Sequence, residues 1–520
     1  MRVIILLTVL STIIVGCERE TEPEVARLYS GKHRPLFHYT PPSQWMNDPN
    51  GLVFHKDEYH LFYQHYPDSN VWGPMHWGHA VSKDLIHWEN LPIALYPDSL
   101  GYIFSGSAVY DLNNSSGLGS PANPPLVAIF THHEPAGELE GLNTYQYQSI
   151  AYSLDEGRTW TKYNGNPVLS NPGIRDFRDP KVSWLPQFKK WVMALAVKDR
   201  IHFYSSPNLT DWEFLSEFGA TSGNHGGVWE CPDLFELPVG DSDSSRWVLL
   251  VSINPGGPNG GSATQYFVGD FDGKTFIPDS EYSLPDEQAI WLDHGRDNYA
   301  GVTWNNIPDS NGRRLFIGWM SNWDYAKVVP TYDWRSAMTV PRVLTLEETA
   351  YGVRLKSAAV DELESLHTDK FIFNDGEINE KSEIIRSYPG SPIIIDFEVV
   401  FPSGQDVEFH LNNDHGEMVR FGYIRDKNQF YIDRSLSGDL RFSTEFAIAP
   451  STMPRIGTGE FIKMRALIDV SSIELFTDDG LGVMTEIFFP SYDFNTLSLG
   501  GDNPLYHKGI ETRALESIWK

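Results

Sequence analysis

Four times between Pro35 and Pro341 a turn carrying an acidic residue opens onto a β hairpin. The turns hold Asp48 in NDPNGLVF, Asp179 in RDPKVSW, Glu230 in ECPDLFEL and Asp293 in LDHGRDNYAGVTW. A fifth unit, FSGSAVYD from Phe104 to Asp111, has the same form with Ser105 in the place of the acid. Successive anchors lie 51 to 74 residues apart. That period suits one four-stranded blade per unit, and five anchors predict a five-bladed β-propeller.

A second repeat agrees with the first. SKDLIHW (Ser82 to Trp88), SLDEGRTW (Ser153 to Trp160) and SPNLTDW (Ser206 to Trp212) each join a polar turn to a tryptophan, and GDFDGKTF (Gly269 to Phe276) is a degenerate copy. The middle one resembles the Asp-box hairpin of other propellers. Asp and Ser satisfy turn amides, Gly157 supplies a positive φ, and Trp160 packs between sheets. Strands at this density, with few helical periods, leave little room for another fold.

Beyond Pro341 the pattern changes. VDELESLH (Val360 to His367) spaces Val360, Leu363 and Leu366 as a short helix would. Ile395, Phe397, Val399 and Phe401 then share one strand face and Asp396 and Glu398 the other. SSIELFTDDGLGVMTEIFFP (Ser471 to Pro490) is a hairpin through Asp479-Gly480. These strands predict an antiparallel sandwich in a supporting role. A chain of 520 residues exceeds one ordinary core. The expected all-β plan is a propeller over 35–345, a linker over 346–367 and a β-sandwich over 368–520.

The net charge of −29 argues against nucleic acid and anionic polymers and leaves neutral partners open. Sixteen Trp and 24 Tyr suit strands and sugar-like ligands. At the start, Arg2 precedes VIILLTVLSTIIVG, an apolar run too short to span a bilayer and laid out as a signal peptide. IVGC (Ile14 to Cys17) resembles a bacterial lipobox, so residues 1–17 are expected to be a leader, with Cys17 lipidated and 18–34 a polar tether. Glu18, Glu20 and Glu22 point to display on the outer surface of the cell envelope, with the membrane met only through the lipid. The one other cysteine is Cys231; if Cys17 is acylated, no intramolecular disulfide forms. Cys231, beside three acids, is expected to be a buried structural thiol rather than a thiolate.

In a propeller the innermost strands line a central funnel, so acids at equivalent blade positions meet although far apart in sequence. Asp48, Asp179 and Glu230 would share one pocket. Glycoside hydrolysis needs two carboxyl groups, one to protonate the leaving oxygen and one to attack or to stabilise positive charge. Crowding and burial raise at least one such pKa. The prolines after Asp48 and Asp179 fix the backbone there.

WMNDPNG, FSGS, RDP and ECP, in this order, resemble the signatures of glycoside hydrolase family 32, the levanases, inulinases and invertases. WGPMHWGHAVSKDLIHW, GWMSNWDYA and the C-terminal SIELFTDDG…FFP also resemble that family, and the match spans about residues 35 to 490. The resemblance implies a propeller followed by a β-sandwich. It implies that Asp48 is the nucleophile attacking C2 of a fructofuranosyl unit, Glu230 the acid/base and Asp179 the transition-state stabiliser. The family retains configuration, which implies carboxyl groups about 5–5.5 Å apart. Asn47, Gln64, Trp72, Phe104, Ser105 and Arg178 match positions that line the terminal fructosyl pocket; Trp323 and Asp293 are further binding candidates. Neither His76 with His79 nor His132 and His133 beside Glu134 has a recognised ligand spacing, so no metal and no cofactor are expected. The expected partner is a β-fructan and the expected activity exo-acting hydrolysis. The alternatives are an endo-levanase, an invertase, and a non-catalytic surface fructan-binding protein. Intact Asp48 and Glu230 favour the enzyme. Exo or endo action depends on the loops THHEPAGELEGLNTYQYQ and INPGGPNGGSATQYF.

Overall fold

The computed structural model describes residues 28–279, 289–308, 312–379, 382–388, 391–501 and 504–519. The expected leader, Cys17 and the first part of the expected tether lie outside the described residues. Five successive sheets, antiparallel but for one short parallel pairing in the first, make the first domain. Their innermost strands are Gln44–His55, Tyr102–Tyr110, Phe177–Leu185, Val228–Pro238 and Tyr299–Thr303. Each innermost strand touches the next one round, and the fifth touches the first. The ring is therefore closed.

Blade packing explains the strand sequences. Second strands such as Lys190–Val197 and Ser245–Asn254 are covered on both faces by neighbouring blades, so they read as nearly unbroken apolar runs. Outer strands such as Trp88–Leu95 and Glu213–Phe218 have mostly half-buried and exposed positions. The tryptophan-tagged turns each join the third and fourth strands of a blade. Asp84, Asp155, Asn208 and Asp272 accept amide hydrogens of their own turns at 2.7–3.1 Å. Trp160 and Trp212 donate their indole N–H to Gly157 and Leu209 carbonyls at 2.9 and 3.0 Å. Two seams close the ring. Trp334–Arg335 pairs with the start of the Gln44–His55 strand, and the Asn305 backbone bonds to Leu52 and Phe54.

The second domain packs two six-stranded sheets around Phe397, Val399, Phe409, Phe421, Leu475 and their neighbours. It is bound to the propeller through a shared apolar core that includes Phe476, Val483 and Trp519. Buried ion pairs cross the same seam.

The domain junction differs from the sequence expectation. Arg342–Thr349 and Gly352–Ala359 form a regular hairpin, Leu346 opposite Leu355, and complete the fifth blade. Most of the expected linker over 346–367 is therefore propeller strand. The true connection is a 3-10 helix, Asp361–Leu366, with Leu363 and Leu366 buried. The expected tether also ends early. Tyr29 stacks on Trp519 with ring centres 3.7 Å apart, and the Arg34 guanidinium lies over Tyr29 and Trp334. From Tyr29 onward the segment belongs to the folded body.

Candidate active site

All five innermost strands carry a β-bulge near the start, where two residues face one on the neighbouring strand. The bulge pairs are Asn47-Asp48 opposite Gln64, Phe104-Ser105 opposite Thr131, and Asp179-Pro180 opposite Leu195. Cys231-Pro232 opposite Val251 and Ala300-Gly301 opposite Gly318 complete the ring. A bulge re-aims side chains and tolerates a proline that has no N–H to give the ladder. That accounts for Pro180 and Pro232, each the second residue of its bulge, while Pro49 follows its bulge directly and pairs with Tyr63. In three blades the first bulge residue takes a left-handed backbone: Asp179 (φ 66°), Cys231 (φ 45°) and Ala300 (φ 53°). The three acids are thus not at one equivalent position. Asp48 is the second bulge residue, Asp179 the first, and Glu230 immediately precedes its bulge. The distortions bring three different registers to one point.

The fifth anchor needs correcting. Its bulge is Ala300-Gly301, and Asp293 lies outside the pocket, fully buried at the domain seam. Asp293 Oδ2 accepts Arg342 Nη1 at 3.0 Å, Asn298 Nδ2 at 3.0 Å and Thr485 Oγ1 at 2.7 Å. Its other oxygen accepts the Thr485 and Gly295 amides, both at 2.9 Å. These bonds and Arg342 hold its pKa below the usual carboxylate range in spite of burial. Both carboxylate oxygens of Asp293 are thus engaged at the seam.

The remaining candidates converge on a pocket of about 290 Å³. Asp48 accepts Ser105 Oγ at 2.7 Å on Oδ2 and Asn47 Nδ2 at 2.9 Å on Oδ1. The Asn47 amide is oriented in turn by the Trp45 indole N–H, which donates to its oxygen at 2.7 Å. Arg178 donates to Glu230 Oε1 through Nη2 at 2.8 Å and Nε at 3.1 Å, and its Nη1 meets Asp176 at 2.7 Å. Arg178 Nε is 4.0 Å from Asp179 Oδ2. Asp179 Oδ2 also accepts the Cys231 amide at 3.2 Å. The Cys231 thiol lies 3.7 Å from both Asp48 Oδ2 and Asp179 Oδ2.

Burial and mutual repulsion set the charge states. Burial, then Glu230, raises the Asp48 pKa. Burial, only partly offset by Arg178, pushes Asp179 up to about 7, with Glu230 and Asp48 adding to the rise. Burial and the three acids keep the Cys231 thiol well above its usual range, so it remains S–H.

Aromatic walls surround the acids. Phe104 stacks on His133 with centres 4.2 Å apart and meets Trp72 edge-on at 6.0 Å. Burial lowers the His133 pKa to about 4, so it presents a neutral ring. Trp323 lies 5.9 Å from Trp45, and the Gln64 amide is anchored on Asn50 at 2.7 Å. Asp176, His133, Glu138, Tyr145 and Lys327 also line the pocket, and the sequence reading assigned none of them to sugar binding. It also missed Tyr299, whose hydroxyl donates to Glu230 Oε2. Tyr299 holds the place just before the fifth bulge, as Glu230 does before the fourth. The motif DNYAGVTW contained that signal. Among the described residues no group of His, Cys, Asp and Glu is arranged to hold a metal ion.

The model of the glycosyl hydrolases family 32 N-terminal domain matches residues 38–357, and that of the family 32 C-terminal domain matches 362–518. A levanase of Bacillus subtilis (strain 168) is 46% identical over 496 residues, covering 94% of this chain and 72% of that protein. The crystal structure of exo-inulinase from Aspergillus awamori superposes with a TM-score of 0.86 at 35% identity, covering 94% of this chain and all of that one. The fructofuranosidase of Schwanniomyces occidentalis complexed with fructose gives 0.83 at 33% identity, over 94% of this chain and 99% of that one.

Proposed function

The chain belongs to glycosyl hydrolase family 32 and is a glycosidase, and from that premise we propose that it is a retaining, exo-acting β-fructan hydrolase that releases terminal fructose. One observation carries the reading: a single pocket, floored by Asp48, Asp179 and Glu230, is small for a ligand site. Its volume of about 290 Å³ is at the low end of the roughly 300–1,000 Å³ typical of small-molecule pockets. It suits one terminal sugar unit better than the middle of a polymer.

In this reading Asp48 attacks C2 of the terminal fructofuranosyl unit. Ser105 and Asn47 hold one oxygen each and so aim the carboxylate. Glu230 gives a proton to the leaving oxygen as the C2–O bond breaks, and a fructosyl ester on Asp48 results. Glu230 then takes a proton from water, whose oxygen attacks C2 and frees Asp48, so two inversions give net retention. Asp179, beside Arg178, exchanges hydrogen bonds with sugar hydroxyls as positive charge develops on the ring. Trp72, Phe104 and Trp323 cover its apolar face and Gln64 its hydroxyl edge.

Timed chromatography of levan and inulin digests tests the mode of attack. Free fructose from the earliest times is expected. Early oligosaccharides without fructose would replace this reading with endo-levanase action, and cleavage of sucrose alone would replace it with an invertase.

The lipobox supports a further part of the proposal, that Cys17 carries a lipid and displays the enzyme on the envelope's outer face. Cys17→Ala should abolish labelling by a fatty-acid analogue and release the protein from membranes. Resistance to protease shaving of whole cells would put it on the periplasmic side.

A further inference from the structure

Outside the space for one sugar, the pocket mouth is lopsided. Trp72, Trp323 and Lys327 form one lip. The Lys327 ammonium sits 5.6 Å from the Trp72 ring centre and 5.8 Å from that of Trp323. In the same two segments Val71 is 38% exposed, Val328 49% and Tyr332 79%. These side chains do not sit on loose loops. The Asn70 amide donates to the Tyr332 and Thr331 carbonyls at 2.8 and 3.4 Å, tying one segment to the other. Arg335 braces the second segment from within, donating to the Val329 and Thr331 carbonyls at 2.9 and 2.7 Å. The Ser69 carbonyl accepts the Trp45 amide at 3.1 Å, which fixes the first segment to the innermost strand. A braced apolar strip that continues a pocket wall outward is what a ligand-contacting surface requires.

The opposite lip differs. Leu139 is 89% exposed there, but its neighbour Glu138 is held by His133 at 3.1 Å and Arg175 at 3.9 Å. That lip is a polar edge, Glu138 held by the neutral His133 ring and by the Arg175 charge, with one projecting leucine.

We infer that the ledge of Trp72, Lys327, Val328 and Tyr332 binds the fructosyl units on the leaving-group side of the scissile bond and selects fructan chains over sucrose. This rests on the fructan reading above. Furanose rings present C–H faces that pack on indole and phenol rings, while their hydroxyls match the three donors of an ammonium group. Continuity sets the direction: Trp72 and Trp323 wall the pocket and also begin the ledge. Sucrose supplies a single leaving unit, which reaches only the inner lip; longer chains continue to Tyr332.

The test compares kcat/KM for a fructo-oligosaccharide pentamer and for sucrose in wild type, Tyr332→Ala, Val328→Ser and, as a control on the other lip, Leu139→Ser. The pentamer-to-sucrose ratio should fall roughly tenfold in Tyr332→Ala, the loss of one good aromatic contact, and mainly through KM. A smaller fall is expected in Val328→Ser and none in Leu139→Ser. An unchanged ratio in Tyr332→Ala, or an equal fall in Leu139→Ser, would overturn the ledge alone. Wild-type protein that cleaves neither sugar would overturn the fructan reading beneath it.

Discussion

Tyr299 and Glu230 occupy the same place on neighbouring blades, each just before a bulge, and the tyrosine hydroxyl donates to Glu230 Oε2. Arg178 holds the other oxygen at 2.8 Å. The carboxylate is therefore fixed from two sides by two blades. Tyr299→Phe removes one support without opening a cavity. Turnover on fructan should fall by roughly 10- to 100-fold, the range for losing a group that orients a catalytic residue. With an aryl fructoside, whose leaving group needs little protonation, the loss should shrink to a few-fold. Equal losses on both substrates would show that Tyr299 does not act through Glu230.

The two central carboxyl groups allow a chemical distinction. Asp48→Asn and Glu230→Gln should each fold normally yet lose about 10⁴-fold or more in turnover, since in the proposed mechanism each removes a bond-making partner. On an activated substrate, azide should partly rescue Glu230→Ala by attacking the fructosyl ester, and should not rescue Asp48→Asn, which forms no ester. Burial and Glu230 also raise the Asp48 pKa, so its charge costs folding free energy. Asp48→Asn should accordingly melt above wild type, a gain in stability that accompanies the loss of function. Near-wild-type turnover in either variant would remove the assignment.

The fold was legible where turn chemistry is written locally. Asp-Pro, Ser-Gly and Cys-Pro pairs lie at or beside four of the five bulges, and their spacing shows the blade period before any contact is known. Asp48, Asp179 and Glu230 were legible for the same reason. The fifth anchor was not, because its bulge is Ala300-Gly301 and carries no acid, while Asp293 mimics one seven residues earlier. The real partners of Asp293 are Arg342, 49 residues away, and Thr485, 192 away. Such pairings leave no local pattern. The domain junction was misplaced because Pro341 looks like a boundary, whereas the alternation in Arg342–Thr349 continues the blade.

Asp293 offers a direct contrast between a sugar contact and a structural charge. Asp293→Ala would leave Arg342 with one carboxylate fewer and orphan the Thr485 and Gly295 amides. Loss of one partner from a buried ion pair costs about 3–5 kcal/mol, so the urea midpoint should drop sharply. At temperatures where the variant stays folded, KM should move less than about twofold, within the scatter expected of a residue that touches no substrate. A large rise in KM with an unchanged midpoint would return Asp293 to the binding site.

The same seam makes stability depend on alkaline pH. His38 is fully buried and bonds to Asp469 Oδ2 and Glu474 Oε1, both at 2.8 Å. Burial by itself lowers the imidazole pKa, but the two carboxylates outweigh it and carry it from 6.5 up to about 9. The folded value thus lies above the unfolded one. Its stabilisation is fully present below about pH 6.5 and is lost as pH rises through about 9. At about 1.4 kcal/mol per pH unit the loss totals about 3 kcal/mol. Urea midpoints measured across that window should therefore decline in wild type. In His38→Gln the midpoint should start lower and stay nearly flat, since the amide keeps a donor for one carboxylate but cannot titrate. A wild-type midpoint that holds constant over the window, or a His38→Gln slope as steep as wild type, would show that the seam is not held by a charged imidazole.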